Sequence, residues 1–200
     1  MKQNEIINNI YQRHSVRQFT DENVNDELIK NILDAANQAP SAHNKQSWKF
    51  IVIKEKKKHD LAQLVADSSS NFIKPSSSIL RMAARSIESA PVVIAVVNTG
   101  SLIEHGNDLF KVEKDLSNDF FRTMEIQSSA AATENLLLAA TSLGLGSVWL
   151  GIMFLVKNKV LSFLGEEKGE FMAVIPVGYP KKISEGPLKK SLNYVVKELK

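Results

Sequence analysis

Ser128–Gly151 reads SSAAATENLLLAATSLGLGSVWLG, and it sets the architecture of the chain. Through Leu143 the stretch is nearly apolar on every side and carries several small residues, which predicts a helix buried on more than one side. The pattern extends this helix back to Lys114, and Gly144 supplies its C-terminal stop. Such a helix is the spine of a domain or of a dimer. GSVWLG (146–151) then predicts a short strand. Gly144, Gly146 and Gly151 thus follow a helix and lead into a strand, the reverse of the order that aims a helix N-terminus at a pyrophosphate. A dinucleotide-binding fingerprint is excluded on direction alone.

Working outward, FMAVIPVGYP (171–180), PVVIAVVN (91–98) and WKFIVIK (48–54) read as strands, the second so continuously apolar that both its faces must be covered. LNYVVKEL (192–199) reads as a weaker, half-exposed strand at an edge or on an arm to a partner. Ile6, Ile7, Ile10 and Tyr11 predict a first helix over 2–13. Asn25 caps a second, with Asp26 and Glu27 in its first turn and a stripe from Leu28 to Ala36, ending before Pro40. KEKKKHD (54–60) reads as a solvated turn and helix start, and DSSSNFIKPSSS (67–78) and NTGSLIEHGND (98–108) as mobile loops. Helices covering both faces of a sheet predict a helix/sheet/helix sandwich, with parallel and mixed strand orders both open. No repeat or long linker divides residues 1–200, so one domain is expected.

Hydrophobic residues make up 44% and charged residues 24%, an ordinary globular balance that argues against global disorder. The chain has no cysteine, which excludes disulfides, thiolate catalysis and Cys-based metal sites and fits a reducing compartment. The first residues lack a signal-like apolar core and no apolar run is long enough to span a bilayer, so a cytoplasmic protein without membrane attachment is expected. Net charge is +3, but 25 basic and 22 acidic residues are interspersed, which gives no support for nucleic acid as a partner. Neither a GxSxG elbow, a Walker sequence nor HExxH spacing occurs. The four histidines are scattered, and no metal is expected.

What remains is a set of polar clusters. RHSVR (13–17) places two guanidinium groups four positions apart with a hydroxyl between, suited to a phosphate but, taken alone, more often a surface ion-pair cluster. Lys189 and Lys190 in GPLKKSL (186–192) form a second cationic pair, and the two clusters clamp one phosphate only if the chain ends meet. APSAHNKQSW (39–48) offers Ser41, Asn44 and Gln46 as a polar rim for a heteroaromatic ring, or simply an Asx-type turn, while Trp48 reads as core. At Gly151 the missing side chain would admit a flat ligand to the backbone, or serve packing after the helix.

In combination these segments resemble the FMN-dependent nitroreductase family, the NAD(P)H-dependent flavin oxidoreductases. The resemblance is carried by RHSVRQF, APSAHNKQSW, ENLLLAATSLGLGSVWLG, IPVGYP and a basic pair before the C-terminal segment, and runs nearly the whole chain. It implies an α+β fold: a three-layer α/β/α sandwich with a central mixed, mainly antiparallel sheet. It also implies an intertwined homodimer with FMN in the subunit interface.

The same resemblance implies phosphate, ribityl and pyrimidine contacts from Arg13, Ser15 and Arg17, with His14 in that segment. Lys189 and Lys190 then form a second phosphate clamp, with the exact partner left open. Pro40, Ser41, Ala42 and Asn44 would reach the flavin from the other subunit, Leu150 and Gly151 would place backbone near N5, and Arg85 would be a pyrimidine-side cation. No side chain is singled out as catalytic. The implied activity is two-electron transfer from NADH or NADPH through FMN to a nitroaromatic or quinone-like acceptor by a ping-pong route. A dehalogenase-like or flavin-consuming relative, needing a lid from 67–78 or 98–118, and a non-enzymatic flavin-binding module are the alternatives. Two departures stand out: Ser47 where the family often has proline, and a differently spaced C-terminal basic pattern.

Overall fold

The computed structural model describes residues 4–182 and 184–199, so residues 2 and 3 of the expected first helix lie outside it. Strand β2 (Val92–Asn98) is buried at every position. It lies between β1 (Trp48–Ile53) and β4 (Glu170–Gly178), and β3 (Gly146–Ser147) adds a short edge, giving the order β1-β2-β4-β3 with every ladder antiparallel. One parallel bridge, Ser15 to Ser147, makes the sheet mixed.

Alternation along β2 creates the two cores, because successive side chains of a strand point to opposite faces. Val93, Ala95 and Val97 pack with Leu61 and Val65 of α3 (Glu55–Ser68), Leu80 and Ile87 of α4 (Ser76–Ser89) and Val160 of α7 (Lys157–Leu164). Val92, Ile94 and Val96 pack with Ile29 and Ile32 of α2 (Asp26–Asn37) and Leu136 and Ala140 of α6 (Lys114–Ser142). The result is the expected three-layer sandwich. Each of the buried Val, Leu and Ile side chains among these contributes roughly 1.5–3 kcal/mol.

Helix α6 runs the length of the second face. Its buried hydroxyls are satisfied by its own backbone: Ser128 Oγ donates to Met124 O at 2.7 Å and Thr133 Oγ1 to Ser129 O at 2.8 Å. The helix ends as its sequence predicts. Gly144 takes φ +76°, and Leu145 N–H reaches back to Ala140 O at 2.9 Å, the six-to-one bond of a Schellman motif. Trp48 is core, its indole N–H donating to Asn37 Oδ1 at 3.0 Å.

Four expectations need correction. Residues 98–108 are not a loop: Gly100 at φ +80° opens helix α5 (Ser101–Leu109), whose Leu102 and Gly106 are buried under polar outward positions. Gly106 sits so close to α6 that an added Cβ would lie 2.1 Å from the Phe121 ring. Residues 67–78 are mostly the end of α3, a 3₁₀ turn (Ser69–Asn71) and the start of α4, with Ser68, Ser69 and Ser77 buried. Residues 192–199 form no strand. A 3₁₀ turn at Leu192–Tyr194 bends them, and their apolar side chains stay exposed. Regular strand in GSVWLG is confined to Gly146 and Ser147, although Val148 and Leu150 N–H still reach Pro176 O and Val174 O of β4 at 3.4 and 3.0 Å before a 3₁₀ turn over Gly151–Val156. Helices α4 and α7 have no counterpart in the sequence pattern, since short Ser-rich and Lys-rich segments hide their apolar stripes.

Candidate functional site

Arg13 closes α1 (Glu5–Gln12) as its C-terminal cap and pairs through Nε with Glu134 Oε1 of α6 at 3.6 Å. The following residues are tied down along two lines. Val16 N–H donates to Ser147 O at 2.9 Å, and Thr20 N–H to Tyr179 O at 2.9 Å. Lys181 N–H donates to Gln18 O at 3.0 Å, beside a Phe19–Pro180 bridge. Segment 13–20 is therefore held between β3 and the chain leaving β4.

The chain ends do meet. His14 Nδ1 donates to Gln12 O at 2.9 Å, which leaves Nε2 to accept the Ser184 hydroxyl at 3.3 Å. Gly186 passes so near that a Cβ there would lie 2.8 Å from His14 Cβ. Ser15 and Arg17 remain exposed on the same segment. Arg17 lines an open pocket of 760 Å³ together with Arg85, Met82, Lys181, Lys182 and Ser184.

That pocket unites Arg17 and Arg85, two of the residues expected from the sequence, and adds two that were missed. Lys181 and Lys182 directly follow IPVGYP, and that position was the available signal; the later pair drew the attention instead. Lys189 and Lys190 are exposed beyond Gly186, and neither lines this pocket. Arg17, Arg85, Lys181 and Lys182 pair with no carboxylate among the described residues. The pocket's acid, Glu88, is bonded to His59 Nδ1 at 2.6 Å.

Turn 40–47 lies elsewhere on the protomer and does not line the cationic pocket. Its shape is fixed internally: Ser41 Oγ accepts Gln46 N–H at 3.0 Å, and Gln46 Nε2 donates to Asn44 Oδ1 at 3.0 Å. Ala42 N–H donates to Ser128 Oγ of α6 at 3.2 Å. His43, Asn44 and Gln46 all take positive φ, 53°, 51° and 48°, a costly conformation for three residues so close together. Pro40, His43 and Asn44 are exposed, with Ser41 and Ala42 half-buried. The His43 ring stands edge-on to His105 at 5.5 Å and to Phe121 at 6.2 Å. Burial, then the nearby Lys45 and His43 charges, pushes His105 below the ordinary imidazole range.

Leu150 is buried, and its N–H bonds to Val174 O at 3.0 Å. Gly151 is exposed, and a Cβ there would meet nothing within 4 Å. Its own N–H, however, donates to Trp149 O at 3.1 Å, so in this conformation the expected free donor is engaged. Among the described residues no group of His, Asp and Glu side chains could hold a metal, and no helix is long and apolar enough to cross a membrane. The one hydroxyl–imidazole contact described here, Ser184 to His14, is long at 3.3 Å and pairs with no carboxylate, since His14 Nδ1 is held by a backbone carbonyl. The side chains gathered here suit binding of an anionic, partly flat ligand that brings its own chemistry.

Comparison with known proteins agrees in kind. A sequence model described as the nitroreductase family matches residues 10–179. A protein of Archaeoglobus fulgidus, provisionally named NADH dehydrogenase/NAD(P)H nitroreductase, is 31% identical over 182 residues, covering 88% of this chain and 86% of its own. Among solved structures, a provisionally named nitroreductase from Desulfovibrio desulfuricans in complex with FMN superposes with TM-score 0.73 at 27% identity, covering 100% of this chain and 99% of its own. A BluB-like flavoprotein from Clostridium difficile 630 gives TM-score 0.75 at 27% identity, covering 99% and 100%.

Proposed function

This chain belongs to the nitroreductase family, and we propose that it is an FMN-dependent oxidoreductase passing two electrons from NADH or NADPH to nitroaromatic or quinone-like acceptors. One observation carries the reading: Arg17 and Arg85, neither of them in an ion pair, meet in the 760 Å³ pocket beside segment 13–17, where the two chain ends pack together. That donor set fits FMN, whose phosphate is a dianion and whose pyrimidine edge gains negative charge on reduction.

In this reading the whole chain acts as one FMN-binding domain. Arg13, His14 and Ser15 hold the phosphate and ribityl end with Lys189 or Lys190. Arg17 and Arg85 face the pyrimidine edge, and Leu150 and Gly151 present backbone to the ring, with the open space over Gly151 admitting a flat group. Bound FMN would supply the hydride and electron exchange that none of these side chains can perform. The protein orients it and stabilises charge through fixed cations.

Pro40, Ser41, Ala42 and Asn44 would serve the site of a second copy, because their turn does not line the pocket of its own protomer. A homodimer is further supported by exposed apolar residues on α1 (Ile6, Ile10, Tyr11) and on the C-terminal segment. Donor and acceptor would use one open face in turn, which gives ping-pong kinetics.

The test is the absorption spectrum of the purified protein, followed by anaerobic mixing with NADPH or NADH. A yellow protein that bleaches and is reoxidised by a nitroaromatic or a quinone supports the reading. Bound flavin that neither nicotinamide bleaches makes it a flavin-binding module. A colourless protein that ignores added FMN ends the proposal.

A further inference from the structure

Two cavities meet at Lys181. The 760 Å³ pocket that holds Arg17 and Arg85 shares Phe19, Glu88, Ser89 and Lys181 with a neighbouring cavity of 540 Å³, which continues past Asp21, Lys58 and Pro91. Adjoining along these four shared residues, the two form one trench that suits an extended ligand.

Charge along this trench is unbalanced. Glu88 is occupied by His59 through its carboxylate, and its backbone carbonyl takes Lys58 Nζ at 2.9 Å. Lys181 and Lys182 form no ion pair among the described residues, although Asp21 lines the same cavity as Lys181, and the flavin reading leaves them unused, since it assigns Arg17 and Arg85 to the ring and the Arg13 segment to its phosphate. Lys181 is also fixed by its backbone bond to Gln18, so its ammonium departs from an anchored point at the junction of the cavities. Past it, the Asp21 carboxylate can accept hydroxyl or amine donors, as a ribose or an adenine presents.

We infer that Lys181 and Lys182 form an anion subsite for a phosphate of the nicotinamide donor's adenosine half, which lies along the trench while the nicotinamide reaches the flavin. The inference rests on the flavoenzyme reading and goes beyond it by giving these two lysines to the diffusible substrate. The phosphate is either the 2′-phosphate of NADPH or the pyrophosphate shared by both donors, and selectivity separates them.

The test compares the FMN-loaded wild type with Lys181→Ala/Lys182→Ala and with the charge-reversed Lys181→Glu/Lys182→Glu. Both pairs are exposed, so folding is expected to survive, and flavin content and melting temperature check it. The expected result is a KM for NADPH raised roughly tenfold in the alanine pair and further in the glutamate pair, with kcat and FMN affinity unchanged. A rise confined to NADPH assigns the 2′-phosphate, and an equal rise for NADH assigns the pyrophosphate. Adenosine 2′,5′-bisphosphate binding, measured by calorimetry without turnover, should weaken in parallel. Unchanged KM for both donors overturns the inference, as does a loss confined to FMN affinity, which returns the lysines to the flavin. Wild type that binds the bisphosphate through these lysines but takes up no FMN leaves the subsite standing and rejects the flavoenzyme reading instead.

Discussion

Glu125 Oε1 accepts the backbone N–H of Leu102 at 3.4 Å, so a carboxyl group on the inner face of α6 closes the N-terminus of α5. The side chain is 1% exposed. Its Oε2, the Ser47 hydroxyl and both side-chain polar atoms of Asn98 are buried without a hydrogen-bond partner among the described residues. Ser47 ends the 40–47 turn, and Asn98 ends β2. Thr99 N–H donates to Ser47 O at 3.0 Å, which joins the 40–47 turn to the end of β2.

Burial pushes Glu125 above the ordinary carboxylate range, against the Ser47 hydroxyl, which lies near it without a formed hydrogen bond, and the Leu102 and Gly100 N–H groups, which favour its charged form. A raised folded-state value means that the fold prefers the protonated acid. The stability this contributes is fully present at acid pH and is lost as pH rises through the raised value. Glu125→Gln keeps an acceptor for Leu102 and removes the titration. Its melting temperature should gain on wild type as pH is raised from about 5 to about 8. Parallel melting curves across that range would reject the assignment. Glu125→Leu, which strands the α5 donor of Leu102, should cost about 1–3 kcal/mol at acid pH, a deficit that shrinks as pH rises and wild type loses its own contribution.

Two glycines separate packing from ligand access. A Cβ at Gly146 would lie 2.7 Å from Val16 Cβ, and Val16 is core, so Gly146→Ala must push segment 13–17 away from β3. The expected cost is about 1–3 kcal/mol, together with weaker FMN retention. Gly151→Ala meets nothing, so it should leave the melting temperature unchanged while altering flavin affinity or reduction rate. Thermal melts paired with flavin fluorescence titrations check both, and a Gly151→Ala protein with wild-type flavin behaviour removes that residue from the site.

Arg13 and Arg17 should matter for cofactor and not for fold. The Arg13–Glu134 pair is 3.6 Å apart with Glu134 half exposed, and such pairs contribute at most about 1 kcal/mol. Arg13→Ala and Arg17→Ala should therefore melt near wild type yet bind FMN at least roughly tenfold more weakly, the loss of a charge-assisted contact. Unaltered FMN affinity in both would refute the placement of the phosphate end.

Much of this architecture is written in local patterns. The unbroken apolar run at 92–98 and the small-residue face at 128–143 announce a covered strand and a buried helix, and Gly144 marks its stop one residue past the cap. The pattern fails where a polar surface conceals a sparse buried face, as in α5, where Leu102 and Gly106 alone are buried. It fails again at 192–199, where apolar residues suggest a strand but meet no partner strand among the described residues. Arg17 and Arg85 are readable as separate cations, whereas their meeting with Lys181 depends on the Lys181–Gln18 bond, a tertiary pairing across the whole chain that no window of sequence contains.

The C-terminal segment gives the remaining prediction. Leu188, Leu192, Tyr194, Val195 and Val196 are all more than half exposed, and so many apolar side chains on one extended segment are expected to be covered by another surface. If a second copy covers them, Tyr194→Asp/Val195→Asp should convert a dimer to a monomer in sedimentation equilibrium. The sheet and its two cores do not involve these residues, so circular dichroism and melting should change little. FMN should nonetheless be lost, because Pro40–Asn44 would no longer reach the neighbour's site. A wild-type protein that sediments as a monomer while retaining FMN would separate cofactor binding from dimerisation and return the 40–47 turn to a structural role.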